Sequence, residues 1–435
     1  MNRKRFWIAL ILFSLIGQVA WVVENMYFNV FIYHMFHAAP GEIALMVQAS
    51  AVAATLTTLL IGALSDRIGR RKAFMTFGYI LWGVSILFFA VLRTDWISGL
   101  FPAAAQDVSK AAAIGITLVI VFDCVMTFFG STANDAAFNA WLTDSTDESN
   151  RGKAEGVNAM MPLVAILVVF GGTMWMSESK EIASEWTILF LVLGAVVLIS
   201  GIAGFFLIDE PQVERTKDGY LYTLFYGFRP RVIRENPDLY LSLIGFTIFG
   251  ISIQVFMPYL ILYYMVTLNL SNYVFIMAPA IILAAVATVF YGRLYDRIGY
   301  QKSLIPALVT LLLGYVVLFL FKNTVLVFIG SLLMMCGYLC GMAVYGARIR
   351  DCTPKAMAGR FQGLRIIGQV LIPGVIGPEI GKLVLRGAEM RRNDDGTQSF
   401  IPNANIFLWA GIVLLPIAAM IAIEWLRARK AKAHA

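Results

Sequence analysis

Long apolar runs broken by short polar turns repeat along the whole chain. Each is close to the length an α-helix needs to cross the hydrocarbon of a bilayer, roughly 20 residues. Twelve runs are predicted as spans, over about 6–33, 42–65, 73–92, 111–143, 154–176, 186–208, 239–266, 271–291, 303–321, 325–347, 358–385 and 403–426. The fourth exceeds one crossing, so it is expected to tilt or to project beyond the membrane. The first is too long for a signal-peptide core and lacks a small-residue cleavage site, so it is expected to remain as a span. Composition points the same way. Of 435 residues, 59% are hydrophobic and 14% charged, whereas soluble domains run near a quarter charged. The fold class expected is therefore an all-α membrane protein bathed in lipid.

Charge adds orientation. Lysine and arginine gather in loops that stay inside. With the N-terminus inside, the inside segments hold 25 of the 34 basic residues and the outside segments 7, while Arg365 and Lys382 lie within the eleventh run. This bias predicts a multi-pass protein of a bacterial inner membrane, with both termini cytoplasmic. It also accounts for the net charge of +7 without a nucleic-acid partner. Cys124, Cys336, Cys340 and Cys352 lie in or beside apolar runs without metal-site spacing, and Cys336 and Cys340, four apart on one predicted helix, read as packing residues. No metal or cofactor is expected.

The chain repeats itself. Gly62-Ala-Leu-Ser-Asp66-Arg67-Ile-Gly69-Arg70-Arg71-Lys72 separates runs two and three, and Gly292-Arg-Leu-Tyr-Asp296-Arg297-Ile-Gly299-Tyr-Gln-Lys302 separates runs eight and nine. A weaker pair follows runs four and ten: Asp144-Ser-Thr with Gly152-Lys-Ala-Glu-Gly156, and Asp351-Cys-Thr with Gly359-Arg360-Phe-Gln-Gly363. Two matched loops in the same order imply a duplicated six-helix unit. The domains expected are an N-terminal bundle over 1–208, a cytoplasmic linker over 209–238, and a C-terminal bundle with a short basic tail over 239–435.

The Gly-x-Leu-x-Asp-Arg-Ile-Gly loop and its second copy resemble the signature loop of the major facilitator superfamily (MFS). That resemblance, supported by helix count and central linker, implies two pseudo-symmetric bundles working by alternating access. It implies that the loop latches the halves on the cytoplasmic side, with Asp66 against the start of span eleven and Asp296 against the start of span five. The gating candidates are Gly62, Asp66, Arg67, Gly69, Arg70, Gly292, Asp296, Arg297, Gly299, Asp144, Arg151, Asp351 and Arg360. In the alternative the basic residues only set topology. Ala140-Trp-Leu-Thr-Asp144 with Arg151 is loosely similar to the glycoside–pentoside–hexuronide and sucrose-type carriers. The chain lacks the span-two acid of sodium-coupled members, with Gln48 there instead.

Charges at membrane depth are costly and point to function. Glu24 lies somewhat beyond the middle of run one, and Asp123 lies near the middle of run four. The family resemblance places both spans on the central cavity and makes the two acids proton-coupling candidates. An apolar setting favours the neutral form of a carboxyl, which suits a carrier that reorients with the proton bound. Structural pairing is the alternative for each acid. Gln18, Trp21, Asn25 and Asn29 share one face of run one, and Asp123, Thr127 and Asn134 share one of run four, continuing through Asp135 and Asn139. Amides beside an indole suit a hydroxyl-rich ligand, or else they join helices.

In the second half, Gln254, Tyr259, Arg365 and Gln369 are the substrate-binding candidates. Pro258 predicts a kink in span seven. Tyr263 and Tyr264 are expected at the interfacial belt, Arg365 alternatively snorkels, and Glu379 and Lys382 are expected to pair. His34 and His37 are expected as surface residues of the first outside turn, or alternatively as groups that respond to external pH. Together these features predict a proton-coupled transporter of a small polar solute such as a sugar, acting as a monomer in the bilayer, and not an enzyme. A proton-driven drug or metabolite exporter is the alternative, and a lipid flippase a third reading.

Overall fold

The apolar runs fold as helices because a helix closes its backbone hydrogen bonds within itself, which lipid cannot do for it. The computed structural model describes residues 3–101, 107–147, 150–177, 180–211, 226–270, 272–354, 361–393 and 396–421, with the side chains of Asp66 and Gln362 excepted. Among these, eleven helices are long and apolar enough to cross a membrane: Lys4–Phe36, Pro40–Ser65, Arg71–Phe89, Val108–Asp144, Arg151–Gly172, Ala183–Leu207, Pro237–Thr267, Val274–Ile298, Tyr300–Leu320, Thr324–Cys352 and Gly363–Leu385. The shorter apolar helix Asn405–Ile421 is the twelfth. The chain is thus an all-α protein of twelve membrane helices. Large apolar side chains stand on the outer faces, Phe206 at 73% exposure and Val289 at 65% among them, as a lipid-facing surface requires.

The helices gather into two compact units. One comprises Met1–Tyr220 with Glu389–Phe400, and the other Leu221–Ala388 with Ile401–Ala435. The insertion of Glu389–Phe400 into the first unit was not foreseen from sequence. Its strands β1 (Met390–Arg392) and β2 (Gln398–Phe400) pair antiparallel, with Arg391 opposite Ser399. Tyr33 fixes the hairpin by donating to the Phe400 carbonyl at 2.7 Å and packing edge-on against its ring at 5.2 Å. His37 Nδ1 stands 3.1 Å from Asn393 Nδ2 and 3.3 Å from Ser399 Oγ. The side chain of His34 is only 8% exposed and lies 4.0 Å from Glu181. Neither histidine is therefore the plain surface residue expected, because the hairpin covers that turn.

Irregular turns interrupt the long helices where polar residues cluster. Span one contains a π turn over Val23–Tyr27. There the Asn25 amide donates to the Trp21 carbonyl at 2.8 Å and the Asn29 amide to the Asn25 carbonyl at 2.9 Å. Span four widens into a π segment over Ser131–Phe138. Such insertions displace the regular ladder and tend to accompany functional sites.

In the second unit, Pro258 has no N–H to give, so Met257–Tyr259 tightens into a 3₁₀ turn, as the expected kink requires. Beyond it Tyr263 and Tyr264 are fully buried. Tyr263 donates to the Leu318 carbonyl at 3.3 Å, and Tyr264 shares a 2.5 Å bond with Ser331. The interfacial-belt expectation fails for both, because the distorted turn directs their rings into the bundle. Glu379 and Lys382 do pair, at 2.5 Å.

Candidate functional site

The first unit encloses a carboxyl cluster built by three spans. Ser50 of span two and Thr127 of span four both donate to Glu24 Oε1, at 2.5 and 2.9 Å, and lie 2.9 Å from each other. Glu24 Oε2 is buried without a partner among the described residues, and so is Asp123 Oδ1. Glu24 is 6% exposed and Asp123 1%. Asp123 lies one turn before Thr127, within electrostatic reach of Glu24. Helix periodicity explains the assembly. Asp123, Thr127, Ser131 and Asp135 recur every four residues, and a four-residue step stays nearly on one face, more nearly still where the helix widens.

The face continues toward the end of span four. Ser131 donates to Asp135 Oδ2 at 2.9 Å. Asn134 donates to the Tyr79 hydroxyl at 2.8 Å, and Tyr79 donates to the Phe13 carbonyl at 2.6 Å. From Asp123 to Asp135 the rise is about 18 Å, more than half of a ~30 Å hydrocarbon core. Trp21 packs on Trp82 with ring centroids 5.0 Å apart. Both indole nitrogens are buried without a partner among the described residues. Gln18 is half-buried on the same helix as Trp21. Asn25 and Asn29 spend amide donors on their own helix, although Asn29 Oδ1 has no partner among the described residues.

Sequence reasoning passed over Ser50, Tyr79 and Arg71. Ser50 sits two residues beyond Gln48, the polar residue singled out on span two, and one hydroxyl among many carries no distinguishing pattern. Asp135 was visible only as a continuation of the span-four stripe.

In the second unit, Gln254 is half-buried and Tyr259 fully buried on span seven. Span eleven approaches them closely at Gly377, where an added Cβ would fall 2.3 Å from Gln254 Cβ. Arg365 and Gln369 are half-buried on span eleven. The Arg365 Nε is buried without a partner among the described residues. Gln369 lies in a π turn over Ile367–Leu371.

The repeated loops are built alike but wired differently. Gly69 and Gly299 end spans two and eight with φ of 70° and 78°, a backbone that glycine adopts without strain. In the first loop Arg71, only 4% exposed, donates to Asp144 Oδ2 at 2.9 Å and to Ser65 Oγ at 2.6 Å. Arg67 and Arg70 are exposed. Arg151 reaches the carbonyls of Thr143 and Thr146 at 3.4 and 3.3 Å. In the second loop Tyr295 donates to Asp351 Oδ2 at 2.5 Å, while Asp296 and Arg297 are exposed. Gly62 and Gly292 stand in open space within their units, with no neighbour nearer than 4.0 Å to an added Cβ. Arg360 and the Asp66 side chain lie outside the described residues.

The sequence profile of the Major Facilitator Superfamily matches residues 3–378. No curated protein sequence matches the chain. Among solved structures, a bacterial homologue of the human lysosomal transporter Spinster, inward-facing and occupied, aligns with a TM-score of 0.72 at 14% identity, covering 97% of this chain and 96% of that one. The nucleoside transporter NupG aligns at 0.69 and 13% identity, covering 98% and 99%. At such identities the likeness is one of fold.

Proposed function

The chain belongs to the Major Facilitator Superfamily, and from that premise we propose that it couples a proton to the movement of a small polar solute. The observation carrying this reading is the Glu24 cluster. One carboxylate oxygen is held by Ser50 and Thr127, while the other, with Asp123 Oδ1, is buried and unpartnered among the described residues. A buried carboxylate without a counter-charge is costly, and taking up a proton removes that cost. Two such acids side by side sharpen the effect, since both resist being charged at once. Asp135, joined to the same helix face, extends the acids toward the end of span four and offers the proton a way out.

The solute is a sugar or a related hydroxylated metabolite. Within the first unit, half-buried Trp21 supplies an apolar face and an N–H donor without a partner among the described residues, and Gln18 supplies an amide; within the second unit, Gln254 and Gln369 supply amides. A nucleoside, which NupG carries, presents the same mixture of flat ring and hydroxyls and belongs among the candidates. The basic loops face the cytoplasm in this reading, as the distribution of lysine and arginine favours.

Uptake of labelled sugars and nucleosides into proteoliposomes, with and without an imposed proton gradient, tests the reading. Accumulation only with the gradient supports it, and gradient-independent uptake of every transported solute overturns it.

A further inference from the structure

Spans nine and twelve leave a groove of about 520 Å³ between them, on the outer face of the second unit. Its walls are apolar: Ile305, Leu308, Val309 and Leu312 from span nine, and Leu414 and Ala418 from span twelve. The exception is one end, where Gln301 and Lys302 close it beside Ile421. The sequence explains why a space opens there. Pro306 and Pro416 have no N–H, so the carbonyls of Lys302 and Ile412 lose their usual partners four residues on. Span twelve breaks at Leu414, with three-residue bonds from Leu414 to Gly411 and from Ile417 to Leu414.

The dimensions select an occupant. Lys302 and Leu312 are ten residues apart, which is about 15 Å along a helix. That is one leaflet of a ~30 Å hydrocarbon core. An extended hydrocarbon chain of one leaflet's length matches this apolar run from Lys302 to Leu312. Lys302 is exposed and makes no ion pair among the described residues. It stands where a membrane lysine reaches the headgroup layer, and a basic residue at the end of an apolar groove complements an anionic headgroup.

We propose that this groove binds one anionic phospholipid, with an acyl chain along Ile305, Val309 and Leu312 and the phosphate at Lys302.

Native mass spectrometry of the purified protein, titrated separately with dioleoyl phosphatidylglycerol, dioleoyl phosphatidylcholine and oleate, tests this. One phosphatidylglycerol should bind more tightly than either alternative. Lys302→Ala should weaken it about fivefold, the effect of one basic residue near a charged membrane surface, and leave phosphatidylcholine unchanged. Val309→Trp should remove the bound lipid by filling the groove. Thermal unfolding in detergent checks that both variants fold, and phosphatidylglycerol should raise the melting temperature of the wild type more than that of either variant. Equal binding of the two phospholipids, or no loss in Lys302→Ala, overturns the proposal. Oleate binding as tightly as phosphatidylglycerol and competing with it would assign the groove to a fatty acid instead.

Discussion

Tyr295 donates directly to Asp351 at 2.5 Å, where the matching loop of the first half needs an arginine between the two positions. There Ser65 stands in the place of Tyr295 and Asp144 in the place of Asp351, and Arg71 spans them with bonds of 2.6 and 2.9 Å. A phenol is long enough to do what serine and guanidinium do together. The duplicated halves thus conserve a link from the end of an even-numbered span to the aspartate after the next one, while changing the chemistry that makes it. The first link is ionic and sheltered, and the second is exposed.

That difference predicts unequal costs. Arg71→Ala leaves Asp144 without its partner and Ser65 Oγ without its donor beside a residue that is 4% exposed. Breaking a buried pair from one side costs about 3–5 kcal/mol, and the partial exposure of Asp144 puts the expected value near the lower end. Tyr295→Phe removes one exposed bond and should cost no more than about 1 kcal/mol. Thermal unfolding of the purified variants ranks the two, and equal losses would remove the distinction.

Glycine offers a second contrast. Gly377 faces Gln254 so closely that an added Cβ would fall 2.3 Å from the Cβ there. Gly377→Val must push spans seven and eleven apart and should destabilise by about 1–3 kcal/mol. A Cβ added at Gly292 meets nothing within 4 Å among the described residues, and Gly292 lies inside a helix, so Gly292→Ala should stabilise by up to about 1 kcal/mol. Lower transport by a Gly292→Ala protein of unchanged or higher stability would place this glycine in gating, and unchanged transport would remove it from the gating set.

The spans were legible because hydrophobic length is a strong one-dimensional signal, and the repeat because Gly-x-Leu-x-Asp-Arg-Ile-Gly is long enough to be matched by eye. Glu24 and Asp123 stood out because charges within apolar runs are rare. What escaped depends on tertiary partners. Ser50 is one hydroxyl in a span with many, and only the approach of spans one and four singles it out. Tyr263 and Tyr264 look like belt residues until the turns around Pro258 rotate them inward. The hairpin at Met390–Phe400 lies in a polar loop, and nothing in its sequence names Tyr33 and His37 as its seat.

The hydroxyl ladder of span four makes Asp135 the next test. Asp135→Asn keeps an acceptor for Ser131 at the same place but cannot carry a proton. Gradient-driven uptake in proteoliposomes should slow several-fold, while exchange of labelled for unlabelled solute at equal pH continues. Loss of both together would mark Asp135 as structural.

Glu24 allows the sharpest separation of fold from function. In Glu24→Gln the amide oxygen can still accept from Ser50 and Thr127, and the amide nitrogen replaces the oxygen that has no partner among the described residues. Removing the buried charge offsets the cost of the two amide N–H donors that enter in place of that oxygen, so thermal stability should hold or rise slightly. The variant cannot gain or lose a proton at this position. Accumulation against a solute gradient should fall at least tenfold, while solute exchange persists because the binding surface is retained. Ser50→Ala removes one of two donors to a group that can still titrate, so it should lower the gradient-driven rate without abolishing accumulation. Parallel uptake, exchange and melting measurements on the two variants check these outcomes. Full accumulation by Glu24→Gln would move proton coupling away from Glu24 and leave Asp123 to carry it.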